Sequence, residues 1–167
     1  FPGRTLSLTS IMSTTGHRSL PGAERSATRA LMLQPDDPTD EASIIERNVR
    51  VRKALQSLTH PKTDEEIRET AAAAVKRGGY HPSGVARQLG AILASRHRRK
   101  LLRDVMAPAL VLHGDEDPLV KVECGIDTAN HLPNAELHIM KGMAHDFPTV
   151  LLPEMAERID RTAQRAG

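Results

Sequence analysis

The sequence predicts an α/β protein, with three parallel core strands, flanking helices and an inserted all-helical cap. Three observations carry that prediction. Residues 109–112 form a short apolar run between Pro108 and His113-Gly114, the pattern of a strand buried on both faces. Residues 4–12 and 135–140 alternate apolar and polar side chains, as β-strands do. Between about residues 17 and 100 such signals vanish, and alanine, arginine and acids take over.

In order, residues 4–12 read as a strand with Leu6 and Leu8 alternating against Ser7 and Thr9, and Ser13-Thr14-Thr15-Gly16 as the loop leaving it. Four helices are predicted next. The first covers residues 22–33 and is stopped by Pro35. The second covers 40–57, with Ile44, Ile45, Val49 and Leu55 on one face and Asp40 and Glu41 at the positive end of its dipole. The third opens on a capping box, Thr63 with Glu66, and ends at Gly78-Gly79. The fourth covers 82–95 and is expected to bury Val85, Leu89, Ile92 and Leu93. The run Arg96-His97-Arg98-Arg99-Lys100 reads as a solvated helix end, its cations meeting the negative pole.

After the strand at 109 come a helix over 122–132, a strand over 135–140, the loop Lys141 to Asp146, and a last helix over 150–164. That helix should turn Leu151, Leu152, Met155 and Ile159 inward. Strand, helix, strand, loop and helix is the order of a crossover in a parallel sheet. The expected division is a core strand and loop at 1–16, a helical cap at 17–100 and a C-terminal core at 101–167.

Composition narrows the function classes. The 167 residues carry 23 Lys+Arg against 21 Asp+Glu, too balanced for a nucleic-acid partner, and one Tyr, two Phe and no Trp offer little for base stacking. A single cysteine, Cys124, excludes an internal disulfide, and no apolar run is long enough to span a bilayer, so a cytoplasmic protein is expected. The eight histidines show no metal-ligand spacing, so neither a metal nor a cofactor is implied. The chain opens on Phe1-Pro2-Gly3-Arg4 without an initiator Met, and is expected to be part of something longer.

The chemistry concentrates in two loops. G-D-E-D-P follows the strand at 109, and G-M-A-H-D follows the strand at 135. In open parallel sheets, ligands gather beyond the carboxyl ends of the strands. Adjacent strands would bring Asp117 and His145 together. An acid bonded to one ring nitrogen leaves the other free as a general base.

A-P-A-L-V-L-H-G-D-E-D-P-L-V followed by L-P-N-A-E-L-H-I-M-K-G-M-A-H-D resembles the C-terminal third of the α/β-hydrolase fold superfamily, esterase-type and methylesterase-like members above all. L-S-L-T-S-I-M-S-T-T-G resembles the strand after the nucleophile helix, and H-P-S-G-V-A-R-Q-L-G-A-I-L-A-S the last cap helix, so the likeness covers nearly the whole chain. It implies that Asp117 is the triad acid and His145 the triad base, with Ala144 standing where glycine is usual. Met12 and Met143 are expected substrate-pocket linings.

The G-x-S-x-G nucleophile elbow of that superfamily is absent from these residues. Ser83 precedes Gly84 but lies on the cap, and Cys124 reads as a packed small residue. The expected partners are therefore a small ester and the missing N-terminal half of the same fold. The expected reaction is ester hydrolysis through an acyl-enzyme, with these residues alone silent. The same scaffold also hosts dehalogenases, epoxide hydrolases, haloperoxidases and lyases. A chain complete in itself would instead be a non-catalytic binding module.

Overall fold

The computed structural model describes residues 2–95 and 97–166. Strand β1 (Leu8–Ile11) leads into α1 (Arg25–Leu31), α2 (Glu41–Leu55), α3 (Asp64–Gly78), α4 (Pro82–Ala94) and the single turn α5 (Arg99–Leu102). Then come β2 (Ala109–Gly114), α6 (Val122–His131), β3 (Ala135–Met140) and α7 (Leu152–Gln164), with short 3-10 turns at Pro2–Arg4 and Thr149–Leu151. The sheet order is β1-β2-β3 and both pairings are parallel, Leu8 opposite Ala109 and Ala109 opposite Ala135.

Strand β2 is central, and all six of its residues are buried. Its side chains alternate between two cores, as a pleated strand requires. Leu110 and Leu112 pack with Met140, Met143 and Met155, the last from α7. Ala109 and Val111 pack with Leu132 and, around them, Ala129 of α6 and Leu102 of α5. A third small core joins α2 to α3 through Val49, Ile67 and Ala71. The parallel strands and their flanking helices are those the sequence predicts.

Local signals explain most of the boundaries. Asp40 caps α2 by accepting the N–H groups of Ala42 and Ser43 at 3.2 and 3.0 Å. Thr63 and Glu66 form the capping box of α3, each side chain accepting the other's backbone N–H. Strand β1 is shorter than the predicted 4–12. Leu8 N–H donates to Pro108 O at 3.0 Å, and proline has no N–H to return, so the ladder begins there.

Two expectations are corrected. Helix α4 buries none of its residues: Val85, Leu89, Ile92 and Leu93 are between 40% and 77% exposed. Its apolar stripe is present in the sequence, but among the described residues no other element packs closely enough to bury it. Of the apolar residues predicted to turn inward at α7, only Met155 is fully buried; Leu151 is half-buried, and Leu152 and Ile159 are exposed.

The basic run is also more than a solvated end, its first residue, Arg96, lying outside the described residues. Arg98 N–H donates to Thr15 O at 2.8 Å. Arg99 bonds both oxygens of Asp127, which also accepts the Thr15 hydroxyl at 2.6 Å. Burial pushes the Asp127 carboxyl up, but the bonds from Arg99 and Thr15 outweigh it and hold it below the ordinary value. This half-buried pair ties α5, α6 and the loop after β1 together.

The accessible surface, 10542 Å², is about 30% above the roughly 8,000 Å² typical of a compact monomer of 18.3 kDa. The bare face of α4 contributes to that excess.

One glycine is required by close packing: a Cβ at Gly114 would lie 1.9 Å from the Met143 carbonyl oxygen. Gly114→Ala is expected to destabilise the protein by about 3 kcal/mol or more, because backbone would have to move. Urea unfolding checks this, and an unchanged midpoint would contradict the contact.

Candidate active site

Strands β2 and β3 end level with one another, Gly114 opposite Met140, so the loops leaving them meet at once. Asp115 Oδ1 accepts the Gly142 N–H at 2.7 Å, and Glu116 N–H donates to Met143 O at 3.1 Å. Just beyond, Pro118 turns the chain, and the Asp117 side chain is fully buried. Its Oδ1 accepts the N–H groups of Leu119 and Val120, both at 2.8 Å. Its Oδ2 accepts from His145 Nδ1, also at 2.8 Å.

A carboxylate can only accept, so Nδ1 of His145 carries the hydrogen and Nε2 keeps its lone pair. The His145 side chain is 26% exposed, and Nε2 has no hydrogen-bond partner among the described residues. The histidine loop reaches this position through Gly142, whose φ is +70°. Ala144 needs no such conformation, since Met12 is the only non-glycine with positive φ among the described residues.

A second histidine supports the acid from below. His113, wholly buried in β2, donates from Nε2 to Val120 O at 2.7 Å and lies 3.8 Å from Asp117 Oδ2. Its Nδ1 has no partner and faces Gly125 of α6, where a Cβ would sit 2.5 Å away. Gly125 is thus the residue that lets α6 close over the ring.

The segment leaving α2 stitches both loops together. Leu55 O accepts the His145 N–H at 3.1 Å, and Ser57 N–H donates to Asp146 Oδ1 at 3.1 Å. The buried Ser57 hydroxyl donates to Gly142 O. Glu116 accepts the N–H groups of Leu58 and Thr59 at 2.9 and 3.2 Å, and the Thr59 hydroxyl as well. That hydroxyl, more than the two amides, holds the Glu116 carboxyl below the usual range. Burial pushes the Asp146 carboxyl up, opposed by the Ser57 N–H.

His145 lies on the wall of a cavity of about 570 Å³. One face of α2 (Val51, Arg52, Leu55), Ile67 of α3 and Phe147 supply its apolar and basic lining. This is a preformed space beside a histidine with one nitrogen free, an arrangement suited to proton transfer to or from a bound molecule.

The structure therefore brings Asp117 and His145 together and places Met12 and Met143 elsewhere. Met143 is fully buried among Leu110, Leu112, Met140 and Met155, and Met12 packs half-buried against the same cluster. Neither is on the cavity wall. Cys124 is buried in α6, and burial pushes its thiol up. The sequence reading missed His113, Ser57 and the tying roles of Asp115 and Glu116. The three acids in succession were the visible signal, but their separate partners lie in distant segments.

The fold is that of the α/β-hydrolases, of which these strands and helices form the C-terminal portion. No family model matches the sequence. Among solved structures, a protein described as a non-heme bromoperoxidase from Mycobacterium tuberculosis H37Rv superposes with a TM-score of 0.69 at 17% identity, covering 99% of this chain and 60% of that one. A meta-cleavage product hydrolase from Pseudomonas fluorescens IP01 gives 0.64 at 15% identity, covering 95% and 56%. A thermophilic esterase from Thermogutta terrifontis gives 0.59 at 22% identity, covering 98% and 57%. The chain thus spans little more than half the length of these structures.

The Glu116 tie has a pH signature. Its folded-state value lies below the ordinary 4.5, so the tie is intact above that pH and is lost as pH falls through the folded value. Amide exchange at Leu58 and Thr59, corrected for its intrinsic pH dependence, is expected to accelerate over that acidic range. Glu116→Gln should raise it already at neutral pH. Exchange that ignores both the acid and the substitution would remove Glu116 from this role.

Proposed function

We propose that this chain is the acid-and-base part of a serine-type α/β-hydrolase that hydrolyses small carboxylic esters. The observation that carries the reading is the 2.8 Å bond between buried Asp117 and His145 Nδ1, which leaves Nε2 bare beside a cavity. The nucleophile would come from a segment outside these 167 residues. The partial coverage of the similar structures and the large exposed surface support that part of the reading.

In this mechanism the serine hydroxyl attacks the ester carbonyl while His145 Nε2 takes its proton. The imidazolium so formed is stabilised by Asp117, itself held by the Leu119 and Val120 amides. His145 then gives the proton to the departing alkoxide, which leaves as the alcohol. Water attacks the acyl-enzyme in the second half, again losing its proton to Nε2, and the carboxylic acid is released as serine regains its hydrogen. The helices between β1 and β2 act as the cap over this chemistry. The fixed orientation of the imidazole is what the three bonds to Asp117 provide.

In the complete protein, His145→Ala and Asp117→Asn are each expected to lower kcat/KM on a 4-nitrophenyl ester by about 10³- to 10⁴-fold with the thermal unfolding midpoint little changed. Wild-type turnover in either variant would take that residue out of the mechanism. The 167 residues alone are expected to release no 4-nitrophenol above the buffer rate.

A further inference from the structure

The cavity beside His145 carries more positive than negative charge. Arg47, Arg52 and Lys62 lie on its wall against one carboxylate, Asp146. Arg47 is structurally committed: Nε and Nη2 donate to the carbonyls of Leu33 and Leu31 at 2.9 and 3.0 Å, and Nη1 donates to Asn48 at 3.0 Å. Arg52 and Lys62 are different. Neither side chain makes a hydrogen bond or ion pair among the described residues, although the Lys62 charge is near enough to Asp146 and Glu66 to favour their ionised forms. Asp146 is a weak counter-charge, since one oxygen is taken by Ser57 N–H and burial favours its neutral form.

This imbalance is not a general shortage of acids around α2. On the outer surface, Lys53 pairs with Asp64 at 2.7 Å and Arg68 pairs with Glu46. Among the cations of α2, Arg52 is the one whose side chain has neither a carbonyl nor a carboxylate partner among the described residues, and it faces the cavity. Arg52 is half-buried there, and burial, with the charge of Arg77 behind it, disfavours its protonated form. Holding a guanidinium partly out of water without an anion is unfavourable, and a bound anion removes that cost. The position is also right for a ligand engaged by His145. Arg52 precedes Leu55, whose carbonyl accepts the His145 N–H, by three residues, about 4.5 Å along the helix axis.

On the ester-hydrolase reading above, we propose that the substrate is an ester bearing a carboxylate a few carbon atoms from the reacting carbonyl, and that Arg52 and Lys62 bind that carboxylate. The guanidinium supplies a planar fork that matches the carboxylate oxygens, and the ammonium supplies a second point charge. Leu55, Val51 and Phe147 line the apolar stretch beside them.

The test compares, in the complete protein, the mono-4-nitrophenyl ester of glutaric acid with 4-nitrophenyl valerate, which has the same acyl length and no charge. The charged ester is expected to be preferred. Arg52→Gln and Lys62→Gln should each lower the charged-to-neutral ratio of kcat/KM by about 10-fold or more, mainly through KM, as loss of a charged hydrogen bond does. Arg52→Lys should recover part of the ratio, and thermal melts check that the variants fold. Ratios unchanged in both glutamine variants, with His145→Ala still abolishing turnover of both esters, would overturn the charged substrate and keep the hydrolase. If wild type cleaves neither ester, the hydrolase reading fails, and calorimetric titration with glutarate decides the anion site separately. Saturable binding weakened about 10-fold by Arg52→Gln supports the site, and absence of binding overturns it.

Discussion

The arrangement rests on the register of three parallel strands. Gly114 stands opposite Met140, so the acid loop and the histidine loop leave the sheet at the same height and cross immediately. They cross so closely that Gly114 has no room for a Cβ beneath the Met143 carbonyl. From that crossing a chain of contacts runs outward. Gly125 lets α6 lie on the His113 ring, His113 holds Val120, Val120 and Leu119 hold Asp117, and Asp117 orients His145. Each step is a short hydrogen bond or a steric requirement on a buried group. The imidazole is thereby oriented by the folded protein before any ligand arrives, which is the condition for electrostatic preorganisation.

Much of this is legible in the sequence, for identifiable reasons. The strand at 109–112 is a continuous apolar run because both its faces are covered, whereas the alternation at 135–140 marks a strand without marking a buried face, since Leu137 is exposed and Glu136 and His138 are partly buried. The capping box of α3 is a local signal with a local cause, and it forms as written. The proximity of Asp117 and His145 follows from two post-strand loops on neighbouring parallel strands.

What sequence could not supply is tertiary. An apolar stripe on α4 does not say whether anything packs on it, and among the described residues nothing does. Met143 looks like a loop residue by position, yet its side chain fills the core between β2, β3 and α7. Asp115 and Glu116 look like ordinary turn acids, because the amides they hold come from Gly142 in one case and from the end of α2 in the other. Arg52 reads as a surface residue of an amphipathic helix until α3 and the histidine loop close a cavity around it.

The exit of α2 has a mechanical consequence. Leu55, Ser57, Leu58 and Thr59 are bonded to both loops, so the lower end of α2 belongs to the same rigid body as Asp117 and His145. A motion that widens the mouth of the cavity would have to pivot beyond that seam, at α3, which supplies Ile67 and Thr70 to the wall. A ligand held by Arg52 would therefore ride with the imidazole, and admission would be governed by the half of the helical segment that carries no such bonds.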